Sequence, residues 1–242
     1  ALNLTQYKKV ILIDADALIL NYPDHLFSLQ APAGVYLDDK KKFITYDSRG
    51  NYVLPDNKKI QWYEEYCKCC GHGKIIPKEV TDRILTNKKN SGIGGGLMVL
   101  EPKEGELERI IEDVTHGKGK NRVNKFFVWP EQQYLCARYS GKWTSINPVF
   151  FGLQGYPHWK VLNGLQYAGD KPFILNSKVS MAERAKYPDF VLWHAYYSEI
   201  LQQYPILLTN SVLTDVNSMN EYFTRMARPG KEFSGKKLFR SI

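Results

Sequence analysis

The chain has 242 residues, of which 43% are hydrophobic, 13% aromatic and 24% charged. These proportions are typical of a globular protein and exclude a disordered chain, and no apolar run approaches the roughly 20 residues that cross a bilayer. Lys and Arg number 33 against 25 Asp and Glu, so the net charge is +8, which favours anionic partners.

The first third of the chain predicts short strands separated by polar segments. Apolar runs at residues 9–13 and 17–20 predict two strands, with Asp14 and Asp16 between them. A turn at 21–24, a helical turn at 25–27 and a strand at 35–37 follow. Residues 38–90 are polar and basic, which is typical of a long functional or disordered loop, here interrupted by a helix over 78–85.

The rest of the chain is predicted to alternate between strands and helices. A glycine-rich turn at 92–96 leads into a strand over 97–100 and an amphipathic helix over 104–114. Further helices are predicted over 131–139 and from Thr214 onward, with short strands or extended segments at 143–151, 173–175 and 190–193. This alternation predicts an α/β fold.

Asp14 and Asp16 are the clearest candidate for a metal site. They follow a buried strand directly, at the end of a sheet where open α/β folds bind ligands. In extended geometry residues i and i+2 point to the same side, so both carboxylates can reach one hard cation such as Mg²⁺ or Mn²⁺. An isolated Asp-x-Asp is more often a capped turn and a solvated carboxylate, and that alternative remains open at this point.

Two glycine-containing segments are candidates for ligand contact. Bare backbone at Gly94, Gly95 and Gly96 could approach a sugar or phosphate, although a tight turn into a strand explains the same pattern equally well. Gly169 lies two residues before Lys171, and together they could offer an N–H group and a positive charge to a phosphate. An ordinary turn is the alternative there.

Several of these motifs, in this order, resemble the glycogenin-like retaining glycosyltransferases of family 8. Residues 4–10 running into 14–20, and then 21–27, match the family's Asp-x-Asp region. The glycines at 94–96 correspond to its Asn-Ser-Gly strand entry, Glu131 and Gln132 to its Asp-Gln pair, and residues 166–173 to its terminal His-x-x-Gly-x-x-Lys-Pro-Trp signature. That last match is loose, because one residue fewer separates Gly169 from Lys171.

The resemblance implies a GT-A-type nucleotide-sugar-binding fold, with a central mixed sheet flanked by helices, and transfer of a hexose from a UDP-sugar to a protein or glycan hydroxyl. It implies that Mn²⁺ or Mg²⁺ is the cofactor, with Asp14, Asp16 and Gln166 as metal ligands and Glu131 and Gln132 as catalytic residues. The donor would be contacted by Gly94, Gly95, Gly96, Gly169 and Lys171.

The departures from the family pattern favour an alternative. Gly94 and Gly95 lack the side chains that bind the donor sugar, Glu131 has a longer arm than Asp, and the Gln166 carbonyl is a weaker ligand than imidazole. A catalytically degenerate member that serves as a binding or structural subunit is therefore the second hypothesis. With Gln166 and Gly94 at these positions, the chain resembles glycosyltransferases encoded by large DNA viruses more than secretory ones.

The resemblance also bears on domain organisation. We expect residues 1–242 to form a single glycosyltransferase domain. Family members carry about 80–100 residues before the Asp-x-Asp strand, so we expect this chain to be the C-terminal portion of a longer protein, incomplete at its N-terminus.

The cysteines and His194 are the remaining candidate functional residues. Three of the four cysteines, Cys67, Cys69 and Cys70, are crowded beside His72, a spacing that suits neither a disulfide framework nor a zinc site, so we expect a thiol loop in a reducing compartment. His194 is expected to be a core histidine, or the third metal ligand if Gln166 lies too far from the aspartates.

Partners and location follow from the same features. Basic runs at 40–42, 58–59, 88–89 and 118–125 are scattered over loops, so we expect no nucleic-acid partner. No signal peptide is visible, and no membrane span is expected, which together predict a cytoplasmic location. A homodimer is compatible with the sequence.

Overall fold

A computed structural model describes residues 1–37, 45–46, 52–53, 71–116, 127–153, 159–175, 180–185 and 187–226. The predicted thiol loop at Cys67, Cys69 and Cys70, and the basic runs at 40–42, 58–59 and 118–125, lie outside these residues. The described residues contain both strands and helices, which confirms the α/β class. None of their helices is long and apolar enough to span a membrane.

The strands are β1 to β9 in chain order: Val10–Ile13, Ala17–Ile19, Ala33–Tyr36, Thr45–Tyr46, Tyr52–Val53, Ile93–Leu100, Thr144–Ser145, Gly152–Leu153 and Gly164–Gln166. The α-helices are α1 to α7: Lys78–Thr81, Arg83–Thr86, Glu106–His116, Pro130–Arg138, Met181–Arg184, Pro188–Gln203 and Thr214–Met226. Short 3₁₀ turns are found at Asp24–Ser28, Pro148–Phe150, Trp159–Val161, Pro205–Thr209 and Ser211–Leu213.

The chain divides into two compact units. The first comprises Ala1–Ile44, Pro55–Gly152 and Leu162–Gln166, and the second comprises Thr45–Leu54, Leu153–Val161 and Tyr167–Ile242. Whether the two units act as one glycosyltransferase domain stays a prediction.

A four-stranded mixed sheet forms the framework of the first unit. Its order is β1, β6, β3, β7, with β1 and β3 antiparallel to β6 and β7 parallel to β3. A smaller sheet has the order β2, β9, β8, and in it Ala17 of β2 lies opposite Gln166 of β9.

Two apolar clusters stabilise this unit. One centres on the fully buried Trp143 and Ile93, with α1, α2 and α4 packed around them. The other contains Leu26, Val99 and Phe151. Burying one apolar side chain of this size stabilises the folded state by about 1.5–3 kcal/mol. The packing of these two clusters against the strands is therefore the main contribution that holds the sheet together.

The described residues of the second unit are mainly helical. α6 and α7 pack through Tyr197, Leu201, Val216 and Met219. The predicted strand at 190–193 is wrong, because these residues lie inside α6. Its buried positions Phe190, His194, Tyr197 and Leu201 recur at helical spacing, and Pro188 occupies the first turn, where its missing N–H costs nothing. A window of four apolar residues was too short to show this period.

Three other predictions need correction. The glycines at 94–96 are not a turn but the first half of strand β6, and the positive φ of +63° belongs to Gly92. Residues 173–175 form an exposed turn instead of a strand. The helix over 78–85 is divided at Asp82 into α1 and α2.

Of the predicted strand or extended segment at 143–151, only Thr144–Ser145 is a strand, and Pro148–Phe150 is a 3₁₀ turn. The predicted elements named next are confirmed within a few residues. The strands at 9–13, 17–20 and 35–37 correspond to β1, β2 and β3, and the helix over 131–139 corresponds to α4. The amphipathic helix over 104–114 is α3, although Ile111 and Val114 of its apolar face are exposed. The final helix begins at Thr214 as predicted.

Candidate functional site

The turn between β1 and β2 carries Asp14 and Asp16. The Asp14 N–H donates to the Gly96 carbonyl oxygen at 3.1 Å, which extends the pairing of β1 with β6 by one residue. The Ala17 N–H donates to the Asp14 carbonyl oxygen at 3.1 Å and closes the turn. Asp14 is exposed and Asp16 half-buried, so both carboxylates are accessible at the end of the strand.

Gln166 joins the two carboxylates. Its side-chain Nε2 donates to Asp14 Oδ2 at 2.7 Å and to Asp16 Oδ1 at 3.3 Å. The antiparallel pairing of Ala17 with Gln166 brings this side chain to the turn, across about 150 residues of sequence. An N–H donor between two carboxylates partly compensates their mutual repulsion, as a cation would.

Gly96 provides the surface on which Gln166 lies. A Cβ at this position would be 2.4 Å from Phe151 Cε1 and 2.5 Å from Gln166 Oε1. Both distances are shorter than any real contact, so only glycine allows these side chains to approach the strand. Gly94 is equally restricted, because its Cβ would be 2.7 Å from Leu37 Cδ1. Close packing explains both of these glycines.

Gly95 faces helix α4 instead. Its N–H donates to Gln132 Oε1 at 3.1 Å, and the Gln132 Nε2 donates to the Ser91 carbonyl oxygen at 2.9 Å. A Cβ on Gly95 would be 3.8 Å from Glu131 Oε1. Successive residues of a strand point to opposite faces, so Glu131 and Gln132 approach β6 from the side opposite Gln166.

The structure thus brings together Asp14, Asp16, Gly96 and Gln166, and separately Gly95, Glu131 and Gln132. Gly94 contacts Leu37 and belongs to neither group. Gly169 and Lys171 belong to the second unit. There the Lys171 ammonium donates to the Tyr167 carbonyl oxygen, and the backbone of the same loop is bound by Arg184.

The converging donors suit a hard divalent cation. Among the residues that the structure describes, no three His, Cys, Asp or Glu side chains are grouped as a metal site. The group here consists of two carboxylates and a carboxamide, and half a turn of the amide would exchange its nitrogen for an oxygen ligand. Three oxygen donors of this kind match the preference of Mg²⁺ and Mn²⁺.

His194 is a core residue, as the first of its two interpretations predicted. Its Nδ1 lies 3.2 Å from Asn220 Oδ1, and its ring stacks on Phe223 at 4.2 Å between centroids. Burial lowers its pKa to about 4, so the ring is neutral at physiological pH.

The sequence analysis did not identify Gln133, whose side chain hydrogen-bonds the start of α4 to the segment before β6. The fully buried Gln133 side chain accepts from the Val128 and Trp129 N–H groups at 2.8 and 2.9 Å. It donates to the carbonyl oxygens of Lys88 and Asn90 at 3.0 and 2.5 Å. No local pattern marks such a residue, because the two carbonyl oxygens to which it donates lie 45 and 43 residues earlier in the chain.

The chain is similar to a protein of Acanthamoeba polyphaga mimivirus described as "Uncharacterized protein R707", with 38% identity over 145 residues. The match covers 60% of this chain but only 39% of the length of that relative. No family model matches the chain.

Proposed function

We propose that this chain is part of a metal-dependent retaining glycosyltransferase of the glycogenin-like family, with a GT-A-type fold and a UDP-sugar as donor. The observation that carries the proposal is the convergence of Asp14, Asp16 and Gln166 over the bare backbone of Gly96. The exposed Asp14 and the half-buried Asp16 follow a strand, and the side chain that bridges them is uncharged, an arrangement that favours a cation bound together with a diphosphate.

In this proposal Asp14, Asp16 and Gln166 would hold Mn²⁺ or Mg²⁺, and the chemistry that such a cation would supply is positive charge to stabilise a leaving diphosphate. Gln166 contributes its carbonyl oxygen once the amide has turned. The Phe151 ring and Gly96 restrict the Gln166 side chain to the space above the turn, so little conformational freedom is lost on binding.

The transfer itself exchanges one bond at the anomeric carbon. The bond to the β-phosphate oxygen breaks, a bond to the acceptor hydroxyl oxygen forms on the same face, and the acceptor proton passes to the leaving phosphate. The acceptor could be a protein or glycan hydroxyl. Glu131, which the resemblance implies as a catalytic residue, lies on the side of β6 opposite Gln166 and is given no part in this step.

A binding subunit without turnover is the second candidate. It is favoured by the engagement of Gln132, whose amide already binds the Gly95 N–H and the Ser91 carbonyl and so serves the fold. Mn²⁺-dependent hydrolysis of UDP-glucose or UDP-galactose by the full-length protein separates the candidates. Release of UDP supports the transferase, whereas UDP binding without any release supports the binding subunit.

The decisive test is Asp14→Asn and Asp16→Asn, with Asp24→Asn as a control in the neighbouring exposed 3₁₀ turn. We expect each site variant to lower Mn²⁺-dependent UDP affinity by about tenfold or more, because one charged ligand is lost. Circular dichroism should be unchanged, since both residues lie in an accessible turn. Calorimetry with UDP and Mn²⁺ measures the effect, and unaltered affinity in both site variants would contradict the proposal.

A further inference from the structure

The first unit contains a cavity of about 820 Å³ at one end of its four-stranded sheet. Lys9 immediately precedes β1, Pro32 immediately precedes β3 and Leu100 ends β6, and all three line the cavity. Asp14 follows β1 at the opposite end of that strand, so about 16 Å of extended chain separates it from Lys9. The cavity is therefore a different place from the candidate metal site.

The lining of this cavity carries more positive than negative charge. Four cations against two carboxylates leave a net charge of +2, and these side chains are Lys9, Lys103, Arg138 and Lys142, with Glu101 and Glu106. Both carboxylates are already paired, since Glu101 lies 3.6 Å from Lys103 and Glu106 lies 2.9 Å from Arg138. Among the residues that the structure describes, no carboxylate is paired with Lys9 or Lys142.

Main-chain groups fix the ammonium of Lys9. Its Nζ donates to the Phe27 carbonyl oxygen at 2.9 Å and to the Leu29 carbonyl oxygen at 2.6 Å. An ammonium has three N–H donors, so one is left for another acceptor. Carbonyl oxygens carry no net charge, and the positive charge of Lys9 is therefore not cancelled by the groups that orient it.

Two carboxylates fix the guanidinium of Arg138 in the same wall. Its Nε donates to Glu106 Oε1 at 2.9 Å and its Nη1 donates to Asp113 Oδ2 at 2.5 Å. Its Nη2 donates to no acceptor in the part of the chain that the structure describes. A guanidinium that is already oriented can bind an anion through its remaining N–H groups with little loss of side-chain entropy.

The rest of the wall includes the apolar side chains of Leu2, Pro32 and Ile75. The cavity volume lies within the range of about 300–1,000 Å³ that is typical of small-molecule sites, and it exceeds what an inorganic ion needs. Unpaired positive charge beside apolar surface matches a molecule that has acidic groups on a carbon skeleton.

We propose that this cavity binds a small organic polyanion, a phosphate ester or a polycarboxylate, through Lys9, Arg138 and Lys142. Lys9 and Arg138 supply donors that the protein has already oriented, and the exposed Lys142 supplies a further charge at the rim. The inference is independent of the proposed function, because none of its residues belongs to the group around Asp14.

The experiment is calorimetry of the full-length protein with two probes, fructose 1,6-bisphosphate for a phosphate ester and citrate for a polycarboxylate. EDTA is present, so that no divalent cation joins either probe to the candidate metal site. Fructose, which has the carbon skeleton of the first probe without its charge, is the control ligand. Hydrogen exchange of peptides covering residues 27–32 and 139–142 is measured with and without each probe.

The site variants are Lys142→Gln and Gln30→Glu. Both side chains line the cavity and are exposed, so the fold should tolerate the changes. Lys89→Gln and Gln202→Glu make the same two changes at exposed positions outside the cavity lining and are the matched controls.

We expect at least one anion to bind and to slow exchange in both peptides, and fructose not to bind. Each site variant should weaken binding by about fivefold, because each makes the charge beside the ligand one unit more negative. The controls should bind like wild type, and added salt should weaken binding in every variant. Binding of one probe alone identifies its acidic group as the preferred one, and binding of both shows that charge and size suffice.

Three results would overturn the inference. They are the absence of binding by both anions up to about 10 mM, fructose binding as tight as that of either anion, and site variants that lose no more affinity than their controls. A failure of the wild-type protein to bind UDP in Mn²⁺ would contradict the proposed function alone and would leave this inference standing.

Discussion

At the scale of single residues, the amide of Gln166 is the most informative group in the molecule. It donates to Asp14 and Asp16 at the same time, so it already occupies the space between the two carboxylates. A cation can take this space only when the amide turns its oxygen inward. Metal binding must therefore displace two hydrogen bonds, which lowers the apparent affinity.

Gln166→His should tighten Mn²⁺ binding by roughly tenfold at pH 7.5, because imidazole is a stronger ligand than a carboxamide. Linkage should tighten UDP as well at subsaturating Mn²⁺. The gain should disappear below about pH 6, where the imidazole is protonated. Titration of Mn²⁺ into both proteins measures the change. Equal or weaker Mn²⁺ affinity in the variant would mean that residue 166 does not face the metal.

Gly96 and Gly95 are adjacent but differ in the space around them, which offers a matched pair of substitutions. Gly96→Ala should destabilise the protein by about 2 kcal/mol and displace Gln166, because its Cβ would overlap both Phe151 and Gln166. Gly95→Ala should stay within about 1 kcal/mol of wild type, since its nearest contact is 3.4 Å. Urea unfolding measures both, and equal losses would contradict this account.

At the scale of elements, helices α3 and α4 are joined by a network of charged groups. Arg138 Nε donates to Glu106 Oε1 at 2.9 Å and its Nη1 donates to Asp113 Oδ2 at 2.5 Å. The Tyr139 hydroxyl donates to Glu106 Oε1 at 2.7 Å. The hydrogen bond from Arg138 is the main cause that lowers the pKa of Glu106 to about 2.

This network predicts a specific acid sensitivity of the first unit. The lowered pKa of Glu106 stabilises the fold above its unfolded value of 4.5, and this contribution is lost as the pH falls toward 2. The side chain is only 12% exposed, but its partner is near solvent, so about 2 kcal/mol is expected.

Glu106→Gln should cost this amount at pH 7 and progressively less below pH 4.5, as measured by urea unfolding. Glu221→Gln, in an exposed pair on α7, is the control and should cost little at either pH. A loss for Glu106→Gln that does not shrink in acid would show that packing, and not charge, is responsible.

At the scale of the whole molecule, the two units contain different acid-sensitive groups. In the second unit burial lowers the pKa of His194 from 6.5 to about 4. Between these values the unfolded chain takes up a proton that the folded chain excludes, so stability falls as the pH decreases. The second unit should therefore weaken from pH 6.5 downward, before the loss of the Glu106 contribution below pH 4.5 affects the first.

Hydrogen exchange on peptides from α6 and α7 tests this order. Between pH 7.5 and 4.5, after correction for intrinsic exchange, these helices should lose about 3 kcal/mol of protection. His194→Gln should remove most of the pH dependence, and His116→Gln, at the exposed end of α3, should not. If β6 and α6 lost protection together over the same pH range, the prediction that the two units respond to acid separately would be wrong.

The sequence by itself determined the α/β class, the strand that leads into Asp14 and the helix that begins at Thr214. Each depends on a signal within about ten residues, such as an apolar run or a helical period. Thr214 does not cap its helix as predicted, because it is the first helical residue and its hydroxyl donates to the Ser211 carbonyl oxygen. It also singled out Asp14 and Asp16 as the residues that follow this strand, although they lie in a turn and not in the extended segment that the sequence predicts.

Only the tertiary structure decided what surrounds these residues. The glycines at 94–96 predict a turn, because local sequence cannot show that Phe151, Gln166 and Leu37 pack against a strand there. Likewise, the strand pairing that brings Gln166 to Asp14 and Asp16, and the burial that places Arg184 under the Lys171 loop, join residues by packing and hydrogen bonding. Such contacts depend on which elements meet, and no local periodicity encodes that choice.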